Sequence, residues 1–135
     1  MDTSEKFILK CKKAKEIQEL WKFERGDYFS TIEQTRLQLP PCIVDDFWIS
    51  DQKVRNKRPD YWIWIIRQDQ FQDMVMPEFE IFGCDAIEHF MDVFYEFQKD
   101  NNPLFNSMEE LILSFVMHRK YQKKWNEKIQ DWLKE

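Results

Sequence analysis

Glycine is scarce in this 135-residue chain, which contains two glycines, five prolines and three cysteines. Two glycines make a glycine-built phosphate cradle improbable, and the sequence has no G-x-x-x-x-G-K-S/T, G-x-G-x-x-G, G-x-S-x-G or H-E-x-x-H motif. The commonest nucleotide-dependent and hydrolase mechanisms are therefore not expected. The low glycine and proline content also argues against low complexity or long disorder.

Disulfide, zinc and membrane signals are also missing. Cys11, Cys42 and Cys84 are odd in number, far apart and without a C-x-x-C pair, so we expect reduced, partly buried thiols. No run approaches the roughly 20 apolar residues of a membrane span, and residues 1–6 are too charged for a signal peptide. We expect a small soluble cytoplasmic protein with no membrane partner.

The chain does contain abundant core material and a balanced charge. Its 22 aromatic residues can fill the core of a single domain spanning residues 1–135. Lysine and arginine number 20 against 25 acidic residues, and the net charge of −5 provides no global attraction to phosphate backbones.

The first half of the chain predicts a helix followed by strands. Ser4 can cap a helix to about Phe23. Residues 28–32, 43–49 and 61–66 are rich in β-branched and aromatic side chains, and we expect 61–66, apolar on both faces, to pair antiparallel with 43–49. One helical stripe has spacings of three and four residues: Phe7, Cys11, Ala14, Gln18 and Trp21.

The remainder predicts helices. Residues 68–75 and 85–99 each suggest a helix, and Ser107 with Glu110 forms a capping-box pattern. No glycine or proline follows, so residues 107–133 are expected to form one long helix or two joined by a kink. The fold class is therefore α+β, with a small antiparallel sheet of two to three strands (residues 28–66) packed against N-terminal and C-terminal helices.

Residues 84–96 contain the side chains that most suggest a chemical role. A carboxylate–histidine group here could bind a metal or transfer protons, but all its members except Glu88 lie opposite Ile87, Phe90, Val93, Phe94 and Phe97, as on an ordinary solvated face. Cys84, before a helix start, could be a nucleophile, although adjacent Asp85 disfavours a thiolate. We assign no catalytic residue, metal or cofactor. The acidic and histidine side chains of this group are Asp85, Glu88, His89, Asp92 and Glu96.

Three further segments are candidate binding surfaces. Tyr61, Trp62 and Trp64 follow a basic loop, a combination that can grip single-stranded nucleic acid. An apolar stripe near the end of the chain must dock on its own chain, a partner or a second copy. A polar segment follows the strongest strand, where it can line a cleft or simply start a helix. The three groups are Lys53, Arg55, Lys57 and Arg58; Tyr121, Trp125, Ile129 and Trp132; and Arg67, Gln68, Asp69 and Gln70.

Four stretches, taken in order, carry a resemblance to a known group. They are Glu16-Ile17-Gln18 with Trp21 and Gly26-Asp27; Trp64 with Arg67-Gln68-Asp69-Gln70-Phe71-Gln72; Ser107-Met108-Glu109-Glu110-Leu111; and Phe115-Val116-Met117 through Tyr121 to Trp125-Asn126. In order and spacing they resemble a family of short uncharacterised proteins encoded in phage and prophage genomes. The resemblance implies no activity and no functional residues.

The function that we expect is that of a small phage-type accessory protein acting through protein contacts, including homodimer formation, and not through catalysis. Nucleic-acid binding by the basic loop at 53–58 is one alternative. A metal- or thiol-dependent enzyme built around residues 84–96 is the other.

Overall fold

The computed structural model describes residues 1–45, 61–101 and 105–135. Within these ranges the fold is α+β, as the sequence predicts, with six α-helices, one antiparallel sheet of three strands and another of two. The chain divides into two compact units, residues 3–66 and residues 67–135, the second including Met1 and Asp2. The expectation of a single domain stays a prediction. No helix in the described ranges has both the length and the apolar character needed to cross a membrane.

The first unit contains three helices and three strands. Ser4 caps α1 as expected, since its hydroxyl accepts a hydrogen bond from the N–H of Phe7 at 3.2 Å. The strands form one sheet in the order β2-β1-β3. The elements are α1 (Glu5–Lys13), α2 (Lys15–Glu19), β1 (Tyr28–Thr31), α3 (Ile32–Arg36), β2 (Cys42–Ile43) and β3 (Trp62–Ile65).

The predicted helix from Ser4 to Phe23 is interrupted at Ala14, whose backbone leaves the helical region (φ −78°, ψ 68°). In an unbroken helix the Cys11 carbonyl would accept from the N–H of Lys15. Here it accepts from the N–H of Ala14 at 3.2 Å and from Nε2 of Gln18 at 3.0 Å. The predicted apolar stripe is nevertheless buried, with each of its five members 7% exposed or less.

The predicted pairing of residues 61–66 with 43–49 is wrong for the described residues. Strand β1 lies between β2 and β3, with Phe29 opposite both Cys42 and Trp64. The chain reverses after β1 because Thr31 caps α3, and its hydroxyl accepts from the N–H of Gln34 at 3.0 Å. Residues 46–49 of the predicted strand lie outside the described residues.

Gln18 covers the edge of β3 that faces away from β1. Its Nε2 donates to the carbonyl of Trp64 at 3.0 Å, and its Oε1 accepts from the N–H of Trp64 at 2.9 Å. A neighbouring strand would satisfy the same two backbone groups. The side chain itself is 7% exposed, so these hydrogen bonds are shielded from water.

Tryptophan rings form the core around this edge. Trp21 stacks on Trp64 with ring centroids 5.8 Å apart and planes 7° apart, and Phe29 stacks on Trp62 at 4.0 Å. The indole N–H of Trp21 donates to Oδ2 of the buried Asp27 at 2.9 Å. The adjacent turn requires Gly26, whose φ of 91° is disfavoured for other residues.

The second unit is built around one buried helix. The seven residues from Leu111 to Met117 are all buried, and Phe115 contacts the rings of Phe90, Phe94 and Phe97 edge to face. The hydroxyl of Ser107 accepts from the N–H of Glu110 at 3.1 Å, which confirms Ser107 as the cap, while the Glu110 carboxylate accepts from the N–H of Asn106 at 3.2 Å and not from that of Ser107 as a capping box would require. The elements are α4 (Gln68–Val75), 3-10 turns at Met76–Glu78 and Glu80–Asp85, α5 (Ala86–Asn101), α6 (Met108–Tyr121), β4 (Lys123–Asn126) and β5 (Asp131–Lys134).

The prediction of a helical tail over residues 107–133 is wrong after Tyr121. Gln122 adopts the left-handed conformation (φ 51°, ψ 46°) and ends α6, and β4 and β5 then form a hairpin. Trp125 pairs across the hairpin with Trp132, with ring centroids 5.3 Å apart. Asn126 shapes the turn, since its Oδ1 accepts from the N–H of Lys128 and of Ile129. Two tryptophans seven residues apart thus serve as a cross-strand pair, although the same spacing fits a helix face.

We expect Gln18→Leu to lower the free energy of unfolding by about 2–5 kcal/mol, because it leaves the buried N–H and carbonyl of Trp64 without the hydrogen bonds that the carboxamide makes. Urea unfolding measures this change. The control is the exposed Gln68→Leu, for which we expect a change within about 0.5 kcal/mol. A loss below about 1 kcal/mol for Gln18→Leu would show that the edge does not depend on the carboxamide.

We expect Gln122→Gly to stabilise the chain by about 0.5–1 kcal/mol, because glycine adopts a left-handed helix end without steric cost. The opposite control is Gln122→Val, whose branched side chain should lower the thermal midpoint. Thermal unfolding followed by circular dichroism distinguishes the two. Equal midpoints for both variants would contradict the observed backbone conformation.

Candidate functional site

The acidic face of α5 is solvated, as the helical spacing predicts. Asp92 and Glu96 are exposed, and the ring of half-buried His89 packs edge-on against Phe79 at 5.2 Å. Within residues 1–45, 61–101 and 105–135, no three His, Cys, Asp or Glu side chains come together as a metal site. The Cys84 side chain lies outside what the structure describes, so its reactivity stays open.

The opposite side of α5 is apolar and only partly covered. Phe90 is buried and Phe94 is half-buried, whereas Ile87, predicted to face the core with them, is 68% exposed. Met91 and Tyr95, four and eight residues further on, are 58% and 61% exposed. These three side chains, which we call the α5 stripe, lie within about 80° of one another around the helix.

The border of the α5 stripe is charged with both signs. At about 100° per residue, Glu88 and Lys99 lie at about 100° and 120° from Ile87, next to Tyr95 at about 80°. Both charged side chains are exposed. The stripe therefore has an acidic group beside its first turn and a basic group just beyond its last.

A cleft of about 370 Å³ lies between α5, α6 and the hairpin. Nδ1 of His118 is 2.8 Å from the Glu135 carboxylate, and the imidazole lies 5.3 Å from the ring of Phe97. The same end of the hairpin is held by the N–H of Glu135, which donates to the carbonyl of Gln122 at 2.9 Å. The His118–Glu135 pair therefore fastens the hairpin to α6, and an exposed pair of this kind is no indication of catalysis.

The polar segment 67–70 starts α4. Oε1 of Gln70 accepts from the backbone N–H of Arg67 at 3.0 Å, and the Arg67 guanidinium donates to both carboxylate oxygens of Asp69 at 3.1 and 3.3 Å. Gln68 is exposed in the first turn. These contacts agree with the interpretation that the segment starts a helix. That Arg67, Gln68, Asp69 and Gln70 line a cleft stays a prediction.

The four predicted partner-binding residues near the end of the chain do not share a helix face. Trp132 is 5% exposed, Tyr121 and Trp125 are half-buried, and Ile129 in the hairpin turn is 56% exposed. The prediction that they form a stripe on one helix is therefore wrong. That these residues bind a partner stays a prediction. Lys53, Arg55, Lys57 and Arg58, the predicted nucleic-acid-binding residues, lie outside the described residues.

The sequence did not single out the α5 stripe, because the apolar side of the helix was used only to identify the opposite, acidic face as solvated, and Met91 and Tyr95 were not considered. The apolar residues from Val93 round to Tyr95 span an arc of about 200°, wider than one packing neighbour can cover. That width was the available signal.

No protein-family model, curated protein or solved structure matches this chain.

The Arg67 guanidinium, by hydrogen bonding, holds the pKa of the Asp69 carboxyl below its ordinary value of 3.8. We expect Arg67→Met to raise the pKa of Asp69 toward 3.8, as followed by carboxyl-carbon NMR. Because the pKa of Asp69 is lower in the folded than in the unfolded chain, the Arg67–Asp69 pair stabilises the fold at pH values above the unfolded-state pKa of Asp69. This stabilisation is lost as the pH falls through the folded-state pKa of Asp69. The effect on stability should be small, since the Asp69 side chain is 65% exposed. Arg36→Met is the control, and an unchanged Asp69 titration in Arg67→Met would contradict the assignment.

Proposed function

We propose that this chain is a small phage- or prophage-type accessory protein that acts through protein contacts and not through catalysis. The observation that carries the proposal is the α5 stripe, in which Ile87, Met91 and Tyr95 are each more than half exposed on one helix face. Single exposed apolar residues are ordinary, whereas large ones aligned over two turns form a contact surface. The resemblance to short phage and prophage proteins is the ground for the phage-type part of the proposal and implies no activity.

The partner that fits the stripe is a second copy of the chain. Two copies of α5 that pack antiparallel about a two-fold axis bring Glu88 of one copy opposite Lys99 of the other, and each pair occurs twice. Glu88 and Lys99 are eleven positions apart, which is about 16 Å along the helix. Ile87, Met91 and Tyr95 lie beside the line that joins them. The surface is therefore self-complementary in charge, as an isologous dimer interface requires.

Light scattering and sedimentation over a range of concentrations test this proposal, with a concentration-dependent dimer as the expected result. We expect Met91→Lys to raise the dimer Kd at least tenfold, because it removes apolar burial worth about 1–3 kcal/mol and places a charge in the contact. Leu37→Lys, at a site 61% exposed outside α5, is the matched control and should not change the Kd. A chain that stays monomeric at the highest concentration would overturn the homodimer.

Charge exchange at Glu88 and Lys99 tests the orientation. We expect Glu88→Lys and Lys99→Glu each to raise the Kd by about two- to thirtyfold, since each brings like charges together twice per dimer. An equimolar mixture of the two variants should form a heterodimer, and the double variant should dimerise like the unaltered chain. Both effects should fade at high salt. Loss of dimer without recovery in the mixture would contradict the antiparallel arrangement.

A further inference from the structure

A groove of about 410 Å³ lies on the first unit and shares no lining residue with the α5 stripe. Two lysines, Lys12 and Lys15, line it together with the exposed aromatic ring of Tyr61. Tyr61 is 60% exposed, and the neighbouring Ile32 is 41% exposed. The volume is within the roughly 300–1,000 Å³ typical of ligand pockets.

The break at Ala14 sets the position of the two lysines. Lys12 is near the end of α1 and Lys15 is the first residue of α2, so the non-helical backbone of Ala14 falls between them. Neither ammonium group has an ion-pair or hydrogen-bond partner in the described part of the chain. Both are thus available to an anionic ligand. One wall also contains an acidic residue, Glu19, which opposes such a ligand.

We propose that this groove binds single-stranded nucleic acid. The ring of Tyr61 provides a face for an unpaired base, Ile32 offers an apolar contact beside it, and Lys12 and Lys15 pair with backbone phosphates. A duplex does not fit this chemistry, because its bases are already stacked and paired and cannot reach the ring. A bare anion site would not need the exposed aromatic face.

The distribution of charge along the chain favours the first unit for this role. Residues 3–66 contain 12 lysines and arginines against 10 acidic residues, whereas the rest of the chain contains 8 against 15. The net charge of −5 therefore conceals a first unit with net charge +2. Local positive charge is what brings a polyanion to one part of a protein that is acidic as a whole.

Fluorescence anisotropy of a labelled oligo(dT) of about 15 nucleotides, titrated with the full chain, tests the proposal. Over KCl from about 25 to 200 mM, two phosphate contacts predict a slope of log K against log salt near −1.4. The double variant Lys12→Gln/Lys15→Gln should reduce this slope to near zero. Lys22→Gln/Arg36→Gln removes the same charge from exposed sites of the same unit and should leave the slope unchanged.

Stacking and repulsion are tested separately. We expect Tyr61→Ala to weaken binding about fivefold or more, and Tyr61→Phe, which keeps the ring, to stay within about twofold. Glu19→Gln should tighten binding, because it removes the opposing carboxylate. Melting curves check that each variant is folded. We expect Tyr61→Ala to remain folded, because the Tyr61 side chain is 60% exposed.

Three outcomes would overturn the groove as a single-strand site. The first is equal affinity of the chain for duplex and single-stranded DNA. The second is an affinity that Tyr61→Ala leaves unchanged but Lys12→Gln/Lys15→Gln lowers, which is what a site for an anion alone would show. The third is loss of binding when Lys53, Arg55, Lys57 and Arg58 are neutralised together, with no effect of Lys12→Gln/Lys15→Gln. Tighter binding in Glu19→Gln together with loss in Tyr61→Ala supports the proposal.

Discussion

The edge of β3 that faces away from β1 is the constraint on which the first unit depends. A strand edge presents unpaired N–H and carbonyl groups that must be covered when the strand is buried. Trp62 to Ile65 is buried at every position, and the Gln18 carboxamide satisfies the outward-facing backbone groups of Trp64. The same carboxamide donates to the carbonyl of Cys11, which lies just before the break of the N-terminal helix at Ala14. One side chain therefore couples the edge of the sheet, the helix break and the stacked tryptophans.

The second unit solves a different problem, because its core is a helix buried on every side. Residues Leu111 to Met117 occupy the centre, so the surrounding elements need to offer only one apolar face each. Helix α5 offers more than that, and Ile87, Met91 and Tyr95 exceed what the unit can cover. The acidic and histidine side chains that suggest chemistry are meanwhile solvated or hold structure, as His118 does for the hairpin. Exposed apolar area on α5 is the unusual property of the described part of this unit.

Local signals predicted a substantial part of the fold. The α4 helix spans residues 68–75 as expected, and Ser4 and Ser107 cap their helices, because caps and short amphipathic repeats involve only neighbouring residues. Pairing of strands could not be predicted in the same way. Strand β1 became central because the α3 reversal returns Cys42–Ile43 to its side, and partners distant in sequence leave no periodic trace.

The sequence by itself determined which residues are apolar and where most helices begin, and its two glycines make a glycine-built nucleotide site improbable. Only tertiary structure decided which apolar residues are covered: Trp125 and Trp132 pair across a hairpin because Gln122 turns left-handed, and Ile87 stays outside while Phe90 is buried. The same holds for Tyr61, which is distant in sequence from Lys12 and Lys15 but lines one groove with them. The physical reason is that periodicity records which side of an element is apolar, whereas burial depends on what distant elements the chain brings against that side.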